Sequence, residues 1–506
     1  MPDREFCELV SRAAFSNPFS QERISLDLKI VGRSEVEFPS ERLKLLSRAI
    51  SRRVERMEAA GKANVQRYAG EDRYIMQTVL LFEVYLRFYD HFDRLILDQI
   101  TLGDAPCPVD FAKEALGVLH QRGFSSADAA RYFAILYQIR RAHHFIARGL
   151  IGQSSCMEEF RRHLWNNVFT HDIRWYDRYL WNRMEDFSTL LLGETGTGKG
   201  TAAAAIGRSG FIPYDEKKRC FAESFTHSFI SLNLSQYPEA LIESELFGHK
   251  KGAFTGAIEA HQGIFARCSP HGAIFLDEIG DVGVPVQIKL LQVLQERTFS
   301  PVGSHEKLRF HGRVIAATNK PLDALRSNNL FRADFFYRLC SDTIVVPPLR
   351  QRLQEDPREL DQLLDYLATR MTGEKSREFV EMVHEVINKG IGKSYGWPGN
   401  VREMEQAVRR ILLTRHYEGN DHATTTDLRK RLFDGIDSGT LDADEVLSAY
   451  CSLLFQRYGN YEEVARRTNL DRRTVKKYIQ QQTSQPDLVQ DCGPGVRLPQ
   501  RSNEAV

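Results

Sequence analysis

The spacing of hydrophobic residues changes twice along this chain. In residues 41–58, apolar residues recur every three or four positions, which predicts an amphipathic helix that buries Leu43, Leu46, Ile50, Val54 and Met57. From about residue 189 to residue 347, short apolar runs alternate with helical stretches, and the predicted strands are 189–192, 229–232, 273–276 and 314–317. Residues 358–417 return to a helical pattern. This order predicts an α/β domain with a parallel sheet, followed by a helical lid.

Composition and these patterns divide the chain into six segments. The predicted segments are a helical domain (1–149), an α/β domain (150–347), a helical lid (348–417), a linker (418–440), a small helical unit (441–482) and a tail (483–506). The connector at 150–189 is dense in aromatic residues, which predicts that it packs onto the α/β domain. The tail has three prolines and many polar residues, so we expect it to be disordered.

The helical domain contains an aromatic segment at residues 74–100. We expect this segment to be a core helix, with an aromatic ligand pocket as the alternative, because its large side chains include Phe82, Tyr85, Phe88, Tyr89 and Phe92. A haem or metal site at His143 and His144 is disfavoured, since adjacent residues point to different faces of a helix.

Charge and cysteine content narrow the class of protein. The 68 lysine and arginine residues nearly balance the 67 aspartate and glutamate residues, so nucleic-acid binding would need a local basic patch. The eight cysteines are scattered without a Cys-x-x-Cys pair, which favours reduced thiols over disulfides or zinc. No segment resembles a signal peptide or a membrane span, so we expect a cytoplasmic protein.

A glycine-rich segment follows the first predicted strand and precedes an alanine-rich helix. In such a loop the backbone N–H groups, the lysine and the helix N-terminus surround the phosphates of ATP. One position departs from the general pattern, because Gly200 stands where a hydroxyl that binds Mg²⁺ is expected and Thr201 follows one residue late. The candidate ATP-binding residues are Gly193, Glu194, Thr195, Gly196, Thr197, Gly198, Lys199, Gly200 and Thr201.

Two later strands are predicted to end in polar residues beside this loop. Asp277 and Glu278 follow the apolar run 273–276, at the carboxyl end of a strand, where ligands of open α/β sheets bind. We expect Asp277 to hold Mg²⁺ and Glu278 to polarise the water that attacks the γ-phosphate. Thr318 and Asn319 end the next strand, where they could orient that water or contact the γ-phosphate.

Three arginines are candidates for contact with nucleotide. Arg332 and Arg338 could be arginine fingers that reach the γ-phosphate of a neighbouring subunit, or surface arginines paired with Asp334 or Asp342. In the lid, a predicted capping box with Asn400 at the N-cap and Glu403 at N3 would hold Arg402 in the first turn of a helix, where it could read nucleotide. These three arginines would add to the nucleotide contacts that the phosphate loop makes.

A glycine-bracketed loop and a basic helix complete the set of candidate sites. The loop exposes an aromatic residue and a threonine, which predicts a binding site, and consists of Gly252, Ala253, Phe254, Thr255, Gly256 and Ala257. Residues 458–479 predict a helix, a tight turn at 468–471 and a second helix. That second helix carries a basic cluster that favours DNA binding, and its candidate residues are Arg472, Arg473, Thr474, Lys476 and Lys477.

The motifs at 193–199, 252–257, 275–278, 331–334 and 397–403 together resemble the AAA+ domain of sigma-54-dependent transcriptional activators, also called bacterial enhancer-binding proteins. The resemblance covers roughly residues 150–415, and the C-terminal unit resembles the Fis-type helix-turn-helix of that family. It implies that residues 252–257 contact sigma-54, that a ring, usually a hexamer, hydrolyses ATP to open promoter DNA, and that residues 1–149 are regulatory. It also implies that Asn233 couples to Glu278, that Arg332 and Arg338 act in trans, and that Arg402 is the second sensor.

The chain departs from that family's pattern at three places. Gly200 replaces the glutamate that usually follows the loop lysine, residues 211–225 resemble an insertion, and residues 165–187 form a longer connector than usual. Gly200 leaves open a DNA-binding regulator whose degenerate ATPase uses nucleotide only for assembly. A helicase or chaperone-like AAA+ protein would not explain the exposed loop or the helix-turn-helix.

Overall fold

The computed structural model describes residues 3–36, 38–327, 331–392, 395–419, 432–433, 435–437, 439 and 441–483. The chain divides into two compact units, Met1–Tyr417 and Glu418–Val506. The predicted tail, apart from residue 483, and most of the predicted linker lie outside the described residues. No helix among the described residues is both long and apolar enough to cross a bilayer.

The first unit begins with seven helices. They are α1 (Arg4–Phe15), α2 (Gln21–Val31), α3 (Pro39–Ala59), α4 (Gly70–Arg87), α5 (Tyr89–Leu102), α6 (Ala112–Gln121) and α7 (Ser126–Gly149). The predicted stripe on α3 is confirmed for Leu46, Ile50, Val54 and Met57, which are buried, whereas Leu43 is only partly buried. The aromatic segment forms two helices rather than one, since the chain leaves helical geometry at Phe88 (φ −101°, ψ 14°).

The centre of this unit is a parallel five-stranded sheet. The strands among the described residues are β1 (Thr189–Leu192), β2 (Tyr214–Asp215), β3 (Cys220–Phe221), β4 (Phe229–Asn233), β5 (Ala273–Asp277), β6 (Thr298–Phe299), β7 (Leu308–Arg309), β8 (Arg313–Thr318) and β9 (Asp342–Val345). The sheet has the order β4-β5-β8-β1-β9, and each neighbouring pair is parallel. The predicted α/β fold is confirmed. Strand β9 was not predicted, because its four residues include two polar ones and give no apolar run.

Helices cover the sheet and form the lid. They are α8 (Ser155–Phe169), α9 (Ile173–Trp175), α10 (Lys199–Gly207), α11 (Glu239–Phe247), α12 (Ile264–Arg267), α13 (Val284–Glu296), α14 (Leu322–Ser327), α15 (Ala333–Leu339), α16 (Leu349–Glu355), α17 (Glu359–Thr372), α18 (Arg377–Gly390) and α19 (Asn400–Thr414). Trp165 and Phe169 of α8 are buried in one apolar cluster with Leu191 of β1 and Ala202 of α10. The aromatic connector therefore packs onto the sheet and α10, although Trp175 and Tyr179 remain exposed.

The insertion at residues 211–225 joins the helical domain to the α/β domain. It carries the short hairpin β2–β3, and its buried Phe221 stacks on Tyr137 of α7 with ring centroids 4.3 Å apart. Phe225 packs edge-on against Phe145 of α7 at 5.3 Å. Because the insertion contributes to the core of the helical domain, it fixes α7 against the α/β domain.

The second unit contains three described helices, α20 (Ala443–Tyr458), α21 (Tyr461–Thr468) and α22 (Arg472–Thr483). Cys451, Val464 and Val475, one from each helix, are buried together. Asn469 adopts a left-handed conformation (φ 55°) at the end of α21, which lets the chain turn into α22.

Candidate nucleotide site, exposed loop and basic helix

The phosphate loop connects β1 to α10, as the sequence predicts for a strand–loop–helix unit. Gly196 and Gly198 have φ values of +81° and +103°, which L side chains rarely adopt. A Cβ atom on Gly198 would meet nothing within 4 Å, whereas one on Gly196 would lie 2.3 Å from the carbonyl oxygen of Gly399. The loop is therefore open on one side and closely covered by the lid on the other.

Lys199, the first residue of α10, has a buried side chain. Its Nζ donates hydrogen bonds to the carbonyl oxygens of Gly193 (2.8 Å) and Glu194 (3.1 Å). Burial lowers the pKa of Lys199, while the carboxylates of Glu278 and Asp277 act in the opposite direction. The lysine and the two predicted acidic residues therefore belong to one electrostatic site.

The two carboxylates lie at the end of β5, as predicted. Asp277 Oδ1 accepts a hydrogen bond from the backbone N–H of Glu278 at 3.1 Å, and Glu278 adopts a left-handed conformation with φ 55°. Burial raises the pKa of the Glu278 carboxyl and the charge of Asp277 raises it further, whereas Lys199 lowers it. A carboxylate with a raised pKa near a phosphate loop is a candidate general base.

Polar groups from two further strands flank these carboxylates. Asn319, after β8, donates from Nδ2 to Thr195 Oγ1 of the phosphate loop at 3.3 Å. Asn233 is paired in register with Asp277, and its Oδ1 accepts hydrogen bonds from the backbone N–H (3.0 Å) and hydroxyl (2.7 Å) of Ser235. Its oxygen is thus bound to Ser235, and a coupling of Asn233 to Glu278 stays a prediction.

The lid reaches the phosphate loop through Asn400, and its predicted role as a helix N-cap is wrong. Gly399 occupies the N-cap position, and Asn400 is fully buried with φ +54°. Asn400 Oδ1 accepts from the backbone N–H of Leu349 (2.7 Å), and Nδ2 donates to Glu194 Oε2 and the Thr195 carbonyl oxygen, each at 3.1 Å. Its amide ties the lid to the phosphate loop, which spacing along the chain could not indicate.

The predicted capping box is also wrong for Glu403, because its carboxylate binds the backbone N–H of the N-cap residue Gly399 rather than that of Asn400. Its carboxylate accepts a hydrogen bond from the backbone N–H of Gly399 at 2.7 Å, one from the Tyr417 hydroxyl at 3.0 Å, and a third from the Tyr395 hydroxyl. A Cβ atom on Gly196 would lie 2.9 Å from Arg402 Cβ. The first turn of α19 thus holds Arg402 beside the phosphate loop.

Sequence reasoning also missed Arg350 of α16. Arg350 donates two hydrogen bonds to the carboxylate oxygens of Glu194, at 2.7 and 2.6 Å. The two residues are 156 positions apart and belong to no common motif, so only the fold brings them together.

Within this chain, Arg332 and Arg338 make contacts outside the phosphate loop. Arg332 is about half exposed and donates to both carboxylate oxygens of Asp334 at 3.1 and 2.9 Å. Arg338 donates from Nε to the carbonyl oxygen of Leu294 at 2.9 Å. In a single chain, Arg332 therefore forms the surface ion pair with Asp334. A trans role for Arg332 and Arg338 stays a prediction.

The loop at residues 252–257 has an ordered base and an exposed tip. The backbone N–H of Gly252 donates to the Ala257 carbonyl oxygen at 2.8 Å, which closes the loop. Phe254 and Thr255 at the tip are exposed, and the Phe254 ring lies edge-on to His249 with centroids 4.9 Å apart. His249 is held in turn by the Ser244 hydroxyl, 2.7 Å from its Nδ1.

The basic helix α22 exposes the four predicted cations Arg472, Arg473, Lys476 and Lys477. Its N-terminus is capped by Asp471, which accepts hydrogen bonds from the backbone N–H groups of Arg473 (2.8 Å) and Thr474 (3.0 Å). The Thr474 hydroxyl also bonds to Asp471. A helix with one buried and one basic exposed face has the form that major-groove insertion requires.

Comparison with known proteins identifies the central part of the chain. A family model described as the sigma-54 interaction domain matches residues 177–345. The regulatory protein AtoC of Escherichia coli (strain K12) is 37% identical over 226 residues, which cover 45% of this chain and 45% of AtoC. The DNA-binding transcriptional regulator NtrC of Azospirillum brasilense is 37% identical over 262 residues, which cover 52% of this chain and 47% of NtrC.

The chain spans about half the length of these curated relatives. A crystal structure of NtrX from Brucella abortus aligns with 73% of this chain and 79% of its own, but its TM-score of 0.38 and 20% identity are too low to indicate function. Residues 177–345 therefore match the sigma-54 interaction domain, and the resemblance of this part of the chain to the sigma-54-dependent activators is confirmed.

Proposed function

We propose that this protein is a sigma-54-dependent transcriptional activator that binds DNA and hydrolyses ATP in a ring of identical subunits. The observation that carries the proposal is that the domain matched at residues 177–345 contains both the phosphate loop and the exposed tip of Phe254 and Thr255. ATP hydrolysis would move this tip against sigma-54 in the closed polymerase complex, and the DNA would open.

The residues at the carboxyl edge of the sheet fit an ATP site with Mg²⁺. The open side of Gly198 leaves room for phosphates, and the first N–H groups of α10 have no acceptor within the helix. Asp277 would hold Mg²⁺, which neutralises phosphate charge when bound. Lys199 would contact the β- and γ-phosphates, Glu278 would polarise the attacking water, and Asn319 would orient it.

The exposed position of Arg332 supports the proposed ring. Its ion pair with Asp334 is exposed, and exposed ion pairs contribute little to stability, so exchange for a neighbour's γ-phosphate costs little. Arg338 would join it in the neighbour's site, and Arg402 would sense the nucleotide in its own chain. The likeness to activators that work as hexamers supports a hexamer here, and the exposed cations of α22 support DNA binding.

The test is transcription in vitro from a sigma-54 promoter with purified polymerase. We expect Thr255→Ala to abolish open-complex formation while most ATPase activity remains, because the substitution removes a contact at the tip and leaves the nucleotide site intact. Thr101→Ala, at an exposed threonine of α5, is the matched control and should retain both activities. Unchanged transcription by Thr255→Ala would refute the assignment.

Gly200 supports a second candidate, a DNA-binding regulator that binds ATP without hydrolysing it. A Cβ atom at this position would meet only Phe275 Cε1, at 3.9 Å, so packing does not require glycine there. ATPase activity measured across protein concentration separates the two functions. Turnover per subunit that rises with concentration supports a site shared between subunits, whereas ATP binding without turnover supports the second candidate.

A further inference from the structure

A cavity of about 730 Å³ lies between α1, α2, α3, α4, α5 and α7 of the helical domain and the adjacent α8. This volume is within the range of small-molecule sites, roughly 300–1,000 Å³, and far larger than ordinary packing voids. One wall is apolar and aromatic, and includes Phe82, Tyr85 and Tyr89. The cavity therefore has the size and the lining of a ligand site.

The polar wall of the cavity is built around Arg140 of α7. This buried guanidinium donates to the two carboxylate oxygens of Asp93 at 2.7 Å each, lies 2.9 Å from His143 Nδ1, and stacks 3.8 Å over the Tyr89 ring. Burial and the neighbouring Arg140 lower the pKa of His143 to about 3, so His143 is neutral at neutral pH. Arg140, Asp93 and His143 thus form a hydrogen-bonded cluster whose net charge is zero.

The side chains that line the cavity carry a net positive charge. Its lining contains six lysine or arginine residues, Arg23, Arg42, Lys44, Arg48, Arg140 and Arg148, against four aspartates, Asp27, Asp90, Asp93 and Asp177. Arg23 and Arg140 are paired with Asp27 and Asp93. The exposed Lys44, Arg48 and Arg148 stand at the rim, where they favour an anion.

The same helix connects the cavity to the phosphate loop. Next to Arg140, the buried Arg141 donates to the carbonyl oxygens of Arg208 and Gly210, each at 2.7 Å, and Gln138 donates to that of Ser209 at 2.8 Å. These carbonyls directly follow α10, whose first residue is Lys199. A shift of α7 on ligand binding would therefore displace the helix that carries Lys199.

We propose that this cavity binds a small organic anion with an apolar body and one carboxylate, and that binding acts on the nucleotide site through α7. The apolar body lies against Phe82, Tyr85 and Tyr89, and the carboxylate faces the cations at the rim. The proposed binding of the anion does not depend on the proposed function. Only the proposed effect on the nucleotide site rests on the proposed ATPase activity.

Binding can be tested on the full chain with the fluorescent anion 8-anilino-1-naphthalenesulfonate, displaced by 2-naphthoate or by the uncharged 2-naphthamide. We expect 2-naphthoate to displace the dye and 2-naphthamide to do so at least about fivefold less well, because one charge at an exposed site contributes a factor of this order. Equal displacement by the two compounds, or no saturable binding of the dye, would overturn the proposal.

Two arginines on α3 provide a matched pair of variants. Arg48 lines the cavity, whereas Arg52, one turn later and also exposed, does not. Arg48→Glu should weaken 2-naphthoate binding by about fivefold, and Arg52→Glu should leave it unchanged. Equal effects of the two variants would show general surface charge rather than a site.

Coupling is tested by the ATPase rate with and without saturating 2-naphthoate. The rate of the unmodified chain should change, and Arg141→Gln should reduce that change while binding of the anion persists. Binding without any change in rate would overturn the coupling. If ATPase activity is absent altogether, the proposed function fails while the binding result stands.

Discussion

Glu194 of the phosphate loop and Arg350 of the lid are joined by two hydrogen bonds of 2.7 and 2.6 Å between guanidinium and carboxylate. Arg350→Ala would remove this link and loosen the lid over the nucleotide. We expect nucleotide to dissociate about two- to fivefold faster, since the pair is about half exposed. Stopped-flow release of a fluorescent ADP measures this rate. Arg358→Ala, which breaks the Arg358–Asp356 pair of the lid, is the control and should release ADP at the unmodified rate.

A substitution at Gly196 would test how closely the lid covers the phosphate loop. Gly196→Ala would place a Cβ atom 2.3 Å from the Gly399 carbonyl oxygen in a left-handed backbone, so we expect nucleotide affinity to fall at least about tenfold. Gly373→Ala is the matched control, because Gly373 has the same φ of +81° with nothing within 4 Å of the added atom. Calorimetric titration with ADP compares the two, and an equal loss in both would contradict the close approach.

Substitutions at Glu278 and at Lys199 should distinguish ATP hydrolysis from nucleotide binding. Glu278→Gln should keep nucleotide affinity and lose ATP turnover, because the amide cannot accept a proton from water. Lys199→Met should lose affinity itself, since it removes the cation beside the Gly193 carbonyl. Nucleotide binding and ATPase rate are measured on both variants, and full turnover in Glu278→Gln would exclude the proposed base.

Packing of the insertion can be measured through Phe221, which is 5% exposed and lies against Tyr137. Phe221→Ala should lower the stability of the helical domain by about 3–5 kcal/mol, the usual cost of deleting a buried phenylalanine. Denaturant unfolding followed by tyrosine and tryptophan fluorescence gives the change. Phe187→Ala, at a residue that is 39% exposed, should cost much less.

The hydrogen bond between His163 and Asp342 predicts that the stability of the protein depends on pH. The hydrogen bond to Asp342 raises the pKa of His163 above its ordinary value, with Nε2 and Oδ1 3.2 Å apart. The folded state binds the proton more tightly, so the stabilisation is complete below the unfolded pKa of about 6.5 and is lost as pH rises through the folded pKa. The melting temperature of the unmodified chain should exceed that of His163→Gln more at pH 6 than at pH 9. A gap that is constant or widens with pH would refute this.

The sequence by itself determined the elements and motifs whose signals are local. Apolar runs predicted four of the five central strands, and glycine, lysine and carboxylate spacing predicted the ends of β1 and β5, because these features depend on a few consecutive residues. The tertiary structure alone decided which distant residues meet. It placed Arg350 and Asn400 on Glu194, set Phe221 in the helical domain, and opened a cavity beside Arg140. These contacts join positions far apart in the chain or depend on packing in three dimensions, and no period or motif in one dimension encodes them.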